Sequence, residues 1–160
     1  MKRIMILSVA AVLFSHAQAK PTAEEVKQVI DYFYTGQADG VILADVKLCD
    51  DVYTQGEHKN ECMAERADAK LTKGEAATVW MMFMVPDKVE PQNIMLQYDH
   101  AGTTMAVERA KITSAVRFRT WTKITPDRPG EWKVKILHDQ GDNIELIKEL
   151  TVEVVDAPAQ

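Results

Sequence analysis

From Val41 onward the chain alternates apolar and polar residues with a period of two, the rhythm of strands whose successive side chains point to opposite sides of a sheet. The predicted strands are Val41 to Cys49, Ala76 to Val85, Asn93 to Asp99, Met105 to Lys111, Ala115 to Thr125, Glu131 to Asp139 and Ile144 to Val155, of which Ala76 to Val85 breaks the alternation. Gly74, Pro86, Pro91, Gly102, Pro126, Pro129, Gly130 and Gly141 separate them. Six or seven strands with turn signals at short intervals predict a mainly β domain, an antiparallel immunoglobulin-like β-sandwich, and argue against alternating β and α units. Upstream, Val26, Val29, Ile30 and Phe33 recur at helical spacing, Thr22 suits an N-cap, and Glu24 and Glu25 suit the positive start of a helix. One short N-terminal α-helix ending near Gly36 is expected.

The alternation also assigns faces. Trp132, Val134 and Ile136 share one side of their strand, as do Ile144, Leu146, Leu150, Val152 and Val154 of the last one, interrupted by Lys148; these are expected in the core. Val116 and Phe118 are expected inward, which turns Arg117, Arg119 and Trp121 to the opposite side. Between Ala77 and Val85 both faces are apolar, Thr78, Trp80, Met82 and Met84 on one and Val79, Met81 and Phe83 on the other. Such a strand is central and covered on both sides, for instance by the helix, or it feeds a partner interface.

The chain opens with Lys2 and Arg3, an apolar run from Ile4 to Phe14, and small residues Ala17 and Ala19, the plan of a cleavable secretory leader over residues 1–19. The apolar run is about half of the roughly twenty residues a spanning helix needs. The expected organisation is therefore leader 1–19, helix and linker 20–39, β-sandwich 40–156 and a disordered tail 157–160, in the periplasm or secreted, with no transmembrane segment after cleavage. Loss of Lys2 and Arg3 leaves 17 basic residues against 24 acidic ones, and no dense Lys/Arg stripe offsets that sign, so nucleic acid is excluded as a partner. In an exported chain the only two cysteines, Cys49 and Cys62, read as a structural disulfide; a redox couple would be spaced Cys-x-x-Cys.

A second signal lies nearer the C-terminus: Arg119 and Trp121, then Pro129, Gly130, Glu131, Trp132, Lys133 and Val134, a hairpin with Gly141, and a closing apolar strand. This arrangement resembles the bacterial domain-of-unknown-function 2914 family, small β-rich extracytoplasmic modules, over at most Val41 to Val155. It also resembles the terminal strands of immunoglobulin-like modules. The resemblance implies a fold and a compartment and brings no catalytic residues.

Candidate chemistry is sparse, and no catalytic residue and no cofactor is assigned. Ser114, the only serine after the leader, lacks the Gly-x-Ser-x-Gly elbow. His58, His100 and His138 lie in or beside predicted loops, read as ordinary exposed imidazoles, and no His-x-x-x-His pair exists for zinc. The acidic stretch with Asp50, Asp51, Glu57, His58 and Glu61 fails a calcium-loop pattern, since Tyr53, Gln55 and Cys62 fall where oxygen ligands are needed. Arg117, Arg119 and Trp121 form the candidate binding surface, because arginine and tryptophan combine large contact area with directional polar groups. The expected function is a non-catalytic binding or assembly module of the bacterial envelope whose partner is a protein or envelope component. The alternative is a periplasmic copper carrier with Met82, Met84, Met95 and His100 as soft ligands.

Overall fold

A computed structural model describes residues 23–35, 41–87 and 89–157. The leader, the Thr22 cap, most of the linker and the last three residues of the tail lie outside the described residues. Helix α1 spans Ala23–Thr35, followed by strands β1 (Ile42–Val52), β2 (Cys62–Glu65), β3 (Lys70–Thr72), β4 (Ala77–Val85), β5 (Gln92–His100), β6 (Thr103–Ile112), β7 (Ala115–Ile124), β8 (Gly130–Asp139) and β9 (Ile144–Val155). They form a four-stranded sheet in the order β2-β1-β4-β7 and a five-stranded sheet in the order β3-β9-β8-β5-β6. The described residues thus form a mainly β, immunoglobulin-like sandwich with one short helix. Val79, Met81 and Phe83 from β4 meet Ile94, Leu96 and Tyr98 from β5, Val134 and Ile136 from β8, and Val152 and Val154 from β9 in one continuous buried core.

Four details depart from expectation. The polar segment after Cys49 contains two short strands, β2 and β3, and β3 pairs with β9 in parallel, so the sheets are not wholly antiparallel. Ile144 and Leu146 are not core residues but are 54% and 52% exposed. The cause is a bulge: Ile136 stands opposite Lys148 and Leu137 opposite Leu146, leaving Ile147 as an extra residue. One extra residue reverses which side chains of a strand face the core, so Ile147 packs inward and the even-numbered residues before it turn out. Val116 is likewise exposed, because Val116 and Arg117 together oppose the single residue Met84. His138 is buried rather than exposed, held by Gln92 Oε1 at 2.9 Å from Nε2 and by the Gln140 amide nitrogen at 3.1 Å from Nδ1. Those partners suit the neutral ring carrying its proton on Nε2.

Strand β4 is central, as its double apolar pattern requires, and its outer face is covered chiefly by the corner that the disulfide closes. Helix α1 meets the sandwich at the far end of β4, where the Tyr32 hydroxyl donates to the Met84 carbonyl and the Asp87 N–H to the Phe33 carbonyl (2.7 Å). Its Val26, Val29 and Ile30 remain exposed.

Candidate functional site

The outer face of the four-stranded sheet brings Arg117, Arg119 and Trp121 together on β7, as alternation around the core-packed Phe118 demands. Register sets their neighbours: Lys47, Trp80 and Trp121 form one row across β1, β4 and β7, and Asp45, Met82 and Arg119 form the next. Behind these rows stands the disulfide corner. Cys49 on β1 and Cys62 on β2 are bonded with Cα atoms 5.7 Å apart. The loop between them is closed by the Asn60 N–H to the Tyr53 carbonyl (2.7 Å) and the Tyr53 N–H to the Glu61 carbonyl (3.0 Å). Trp80, only 3% exposed, packs against Cys49 and Val52 and donates its indole N–H to the Asn60 carbonyl at 2.8 Å.

The three predicted surface residues are therefore not equivalent. Arg119 is anchored, its Nη2 2.6 Å from Glu61 Oε1, while its Nε is buried without an acceptor. Arg117 donates from Nε to the Met82 sulfur at 3.4 Å, a weak acceptor that leaves the guanidinium exposed. Trp121 is 38% exposed beside the buried Trp80. The side chains available to a partner are Trp121 and Arg117, with Arg119 tying β7 to the disulfide corner. Sequence reading missed Trp80, Asn60 and Glu61 as components of this face. Glu61 precedes Cys62, and a cross-linked loop beside a double-faced apolar strand was the signal that pointed to it. Two of the other acidic residues of this stretch are paired, Asp50 with Arg66 at 2.5 Å and Asp51 with Lys123 at 3.6 Å, Glu57 is exposed, and the His58 ring lies against Tyr53.

A second concave region of about 530 Å³ lies at the β5–β6 turn, lined by Asp99, His100, Gly102, Gly130, Glu131, Lys133 and Lys135. It is polar and internally compensated. Lys135 Nζ is 2.7 Å from Asp99 Oδ2, Lys133 Nζ is 3.0 Å from Glu149, and Gln97 and Thr104 also donate to Asp99. Burial works to raise the Asp99 carboxyl, but the hydrogen bonds from Lys135, Gln97 and Thr104 outweigh it and hold the group below the ordinary aspartate value. His100 rests on Trp132 and faces the Pro129 carbonyl at 3.0 Å, and a Cβ on Gly130 would come within 3.2 Å of its Nε2. Gly130 also holds φ +115°, so glycine is required there on two counts. Burial pushes the Tyr98 hydroxyl, behind this wall, up to about 12.

The soft-ligand set does not converge. Met82 and Met84 alternate with core-facing residues of the four-stranded sheet, whereas Met95 alternates with Ile94 and Leu96 of the other sheet and His100 ends that same strand. Met82 and Met84 thus lie on one outer face of the sandwich and Met95 on the other, while His100, opposite the core residue Trp132, points to the inner side of its sheet. Among the described residues no group of three or more histidine, cysteine or carboxylate side chains is placed to hold a metal ion.

No curated protein matches the chain. Among solved structures, the C-terminal domain of Wzt is similar with a TM-score of 0.51 and 8% identity, covering 76% of this chain and 77% of that one. A CARDB domain from Pyrococcus furiosus is similar at a TM-score of 0.42 and 11% identity, covering 74% of this chain and 98% of that one. The first likeness supports the sandwich fold and nothing more specific. In sequence, residues 91–148, which run from β5 through the β8–β9 hairpin and include Arg117, Arg119 and Trp121, match the family described as protein of unknown function (DUF2914).

Proposed function

We propose that this chain is an exported, non-catalytic binding or assembly module of the bacterial envelope, and that it recognises its partner through Trp121 and Arg117. The observation that carries the reading is the Trp80–Trp121 row. One indole is buried beneath the disulfide corner, and its neighbour stands 38% exposed on the same face as Arg117, which lies four residues away along β7 and has no carboxylate partner among the described residues. An aromatic anchor that loses little freedom on binding, sharing a face with a directional cation, has the composition of an interface hot spot. Export is supported by the leader-like start and by the Cys49–Cys62 bond, and no described helix is long and apolar enough to cross a membrane. The non-catalytic part is supported by the contacts of the imidazoles. His138 is fixed between two amides, His100 against Trp132 and the Pro129 carbonyl, and His58 against Tyr53.

The test is affinity capture from a native envelope extract using the disulfide-bonded chain. The double variant Arg117→Ala, Trp121→Ala should fold normally and lose the copurifying component, while Glu145→Gln, on the other sheet, should retain it. An unchanged set of captured components would remove this surface from consideration.

A further inference from the structure

The two edge strands β2 and β3 are much shorter than the strands they cover. β1 is paired with β2 only over Cys49 to Val52, and β9 with β3 only over Glu153 to Val155. The bonds from Arg66 N–H to the Leu48 carbonyl (2.8 Å) and from Glu153 N–H to the Ala69 carbonyl (2.9 Å) mark where that cover stops. Beyond them, among the described residues, neither Ile42 to Lys47 nor Ile144 to Val152 makes a backbone hydrogen bond on its outward edge. Both free edges border the same seam between the sheets.

Exposed edges are ordinarily blunted by charges, prolines or bulges. Bulges are present here, at Ala44 of β1 and Ile147 of β9, and they bend the lower ends of both strands. Lys148 to Val152 keeps a regular register with β8 and leads directly into the residues that β3 covers. Its upper part, Leu150 to Val152, is flanked across a narrow groove of about 170 Å³ by Glu65, Arg66, Ala67 and Ala69, and its lower part opens onto a wider one. Leu43, Val46, Ile147 and Leu150 pack only partly buried against the core, and Leu43, Ala44, Asp45, Val46, Lys148 and Leu150 line a groove of about 470 Å³. Lys148 stands opposite the buried Ile136 and so projects into the seam, with no carboxylate partner among the described residues.

We infer that this seam accepts an extended peptide segment of a partner as an added strand on the β9 edge, continuing the line of β3. Main-chain groups of Lys148 to Val152 would bond about five residues of it, a span of roughly 17 Å. Its inward side chains, at alternate positions, would be apolar and fill the groove between Leu150 and the Leu43–Val46 wall. A carboxylate on the segment would meet Lys148, an interaction strengthened by partial burial. This site lies on the sandwich edge away from β7 and stands or falls independently of the Trp121 surface.

The test uses a phage-displayed library of random heptapeptides panned against the disulfide-bonded chain, followed by titration of a selected synthetic peptide. The inference expects selected sequences to alternate apolar and polar residues and to carry an Asp or Glu. N-methylation at every second residue should abolish binding in one phase and spare it in the other, because only alternate N–H groups face the acceptor edge. Lys148→Glu, at an exposed position, should weaken binding by roughly tenfold, and replacing the peptide's acid by Lys should recover it. Arg117→Ala with Trp121→Ala should leave the affinity unchanged. No enriched peptide, equal sensitivity to both methylation phases, or loss of binding in the Trp121 variant would each overturn the inference. So would a concentration-dependent dimer abolished by Lys148→Glu, which would assign the seam to a second copy of the chain.

Discussion

Removing the cross-link by Cys49→Ala with Cys62→Ala tests how the recognition face is held. The two cysteines are 13 residues apart, and constraining a loop of that size in the unfolded chain is worth about 3 kcal/mol in the chain-entropy model. For a domain of this length the corresponding fall in Tm is roughly 10 °C. The loss should be spatially uneven. The corner carries the Asn60 carbonyl that accepts from Trp80 and the Glu61 carboxylate that pairs with Arg119, whereas the core between the sheets draws nothing from it. Thermal and urea denaturation followed by circular dichroism gives the global figure. Hydrogen exchange gives the local one, with faster exchange expected at Tyr53, Asn60 and Glu61 and little change within β5 and β8. A stability loss below about 1 kcal/mol with unaltered exchange at Asn60 would refute the reasoning, because the Trp80 and Arg119 contacts would then be holding the corner without the covalent bond.

Two further outcomes follow from the sandwich. Ile136→Ala, fully buried on β8, should cost about 2–5 kcal/mol, whereas Ile144→Thr on the outward-turned start of β9 should stay within about 0.5 kcal/mol; equal costs measured by urea denaturation would contradict the Ile147 bulge. Asp99 has a carboxyl value below that of the unfolded chain, so its contribution is complete above the ordinary aspartate range and is lost as pH falls through the lower folded value. Stability should therefore decline on acidification below about pH 4, and Asp99→Asn should flatten that part of the profile; an identical slope in the variant would discard the Lys135–Asp99 account.

The sequence by itself determined seven of the nine described strands, because a period of two survives in β5, β7, β8 and the second half of β9, and a continuous apolar run marks β4, with turn residues between them; the short β2 and β3 carry no such rhythm. It also determined that Cys49 and Cys62 are partners, as the only two cysteines of a chain that reads as exported, and that Arg117, Arg119 and Trp121 share a face, which follows from short-range spacing. What alternation could not give was any feature produced by pairing between distant strands. One inserted residue at Ile147 turned Ile144 and Leu146 to solvent, and the signal of that insertion is its mismatch with β8, which no local window contains. Glu61 pairs with Arg119 across 58 positions and Asn60 with Trp80 across 20, so the division of the predicted surface into an anchored arginine and an exposed Trp121 with Arg117 was decided only when the corner folded over β4. The free edge at Lys148 to Val152 is likewise a property of neighbours: β9 reads as an ordinary closing strand until β3 proves too short to cover it. Local rhythm sets which side chains can point together, and register between strands far apart in the chain sets what they meet.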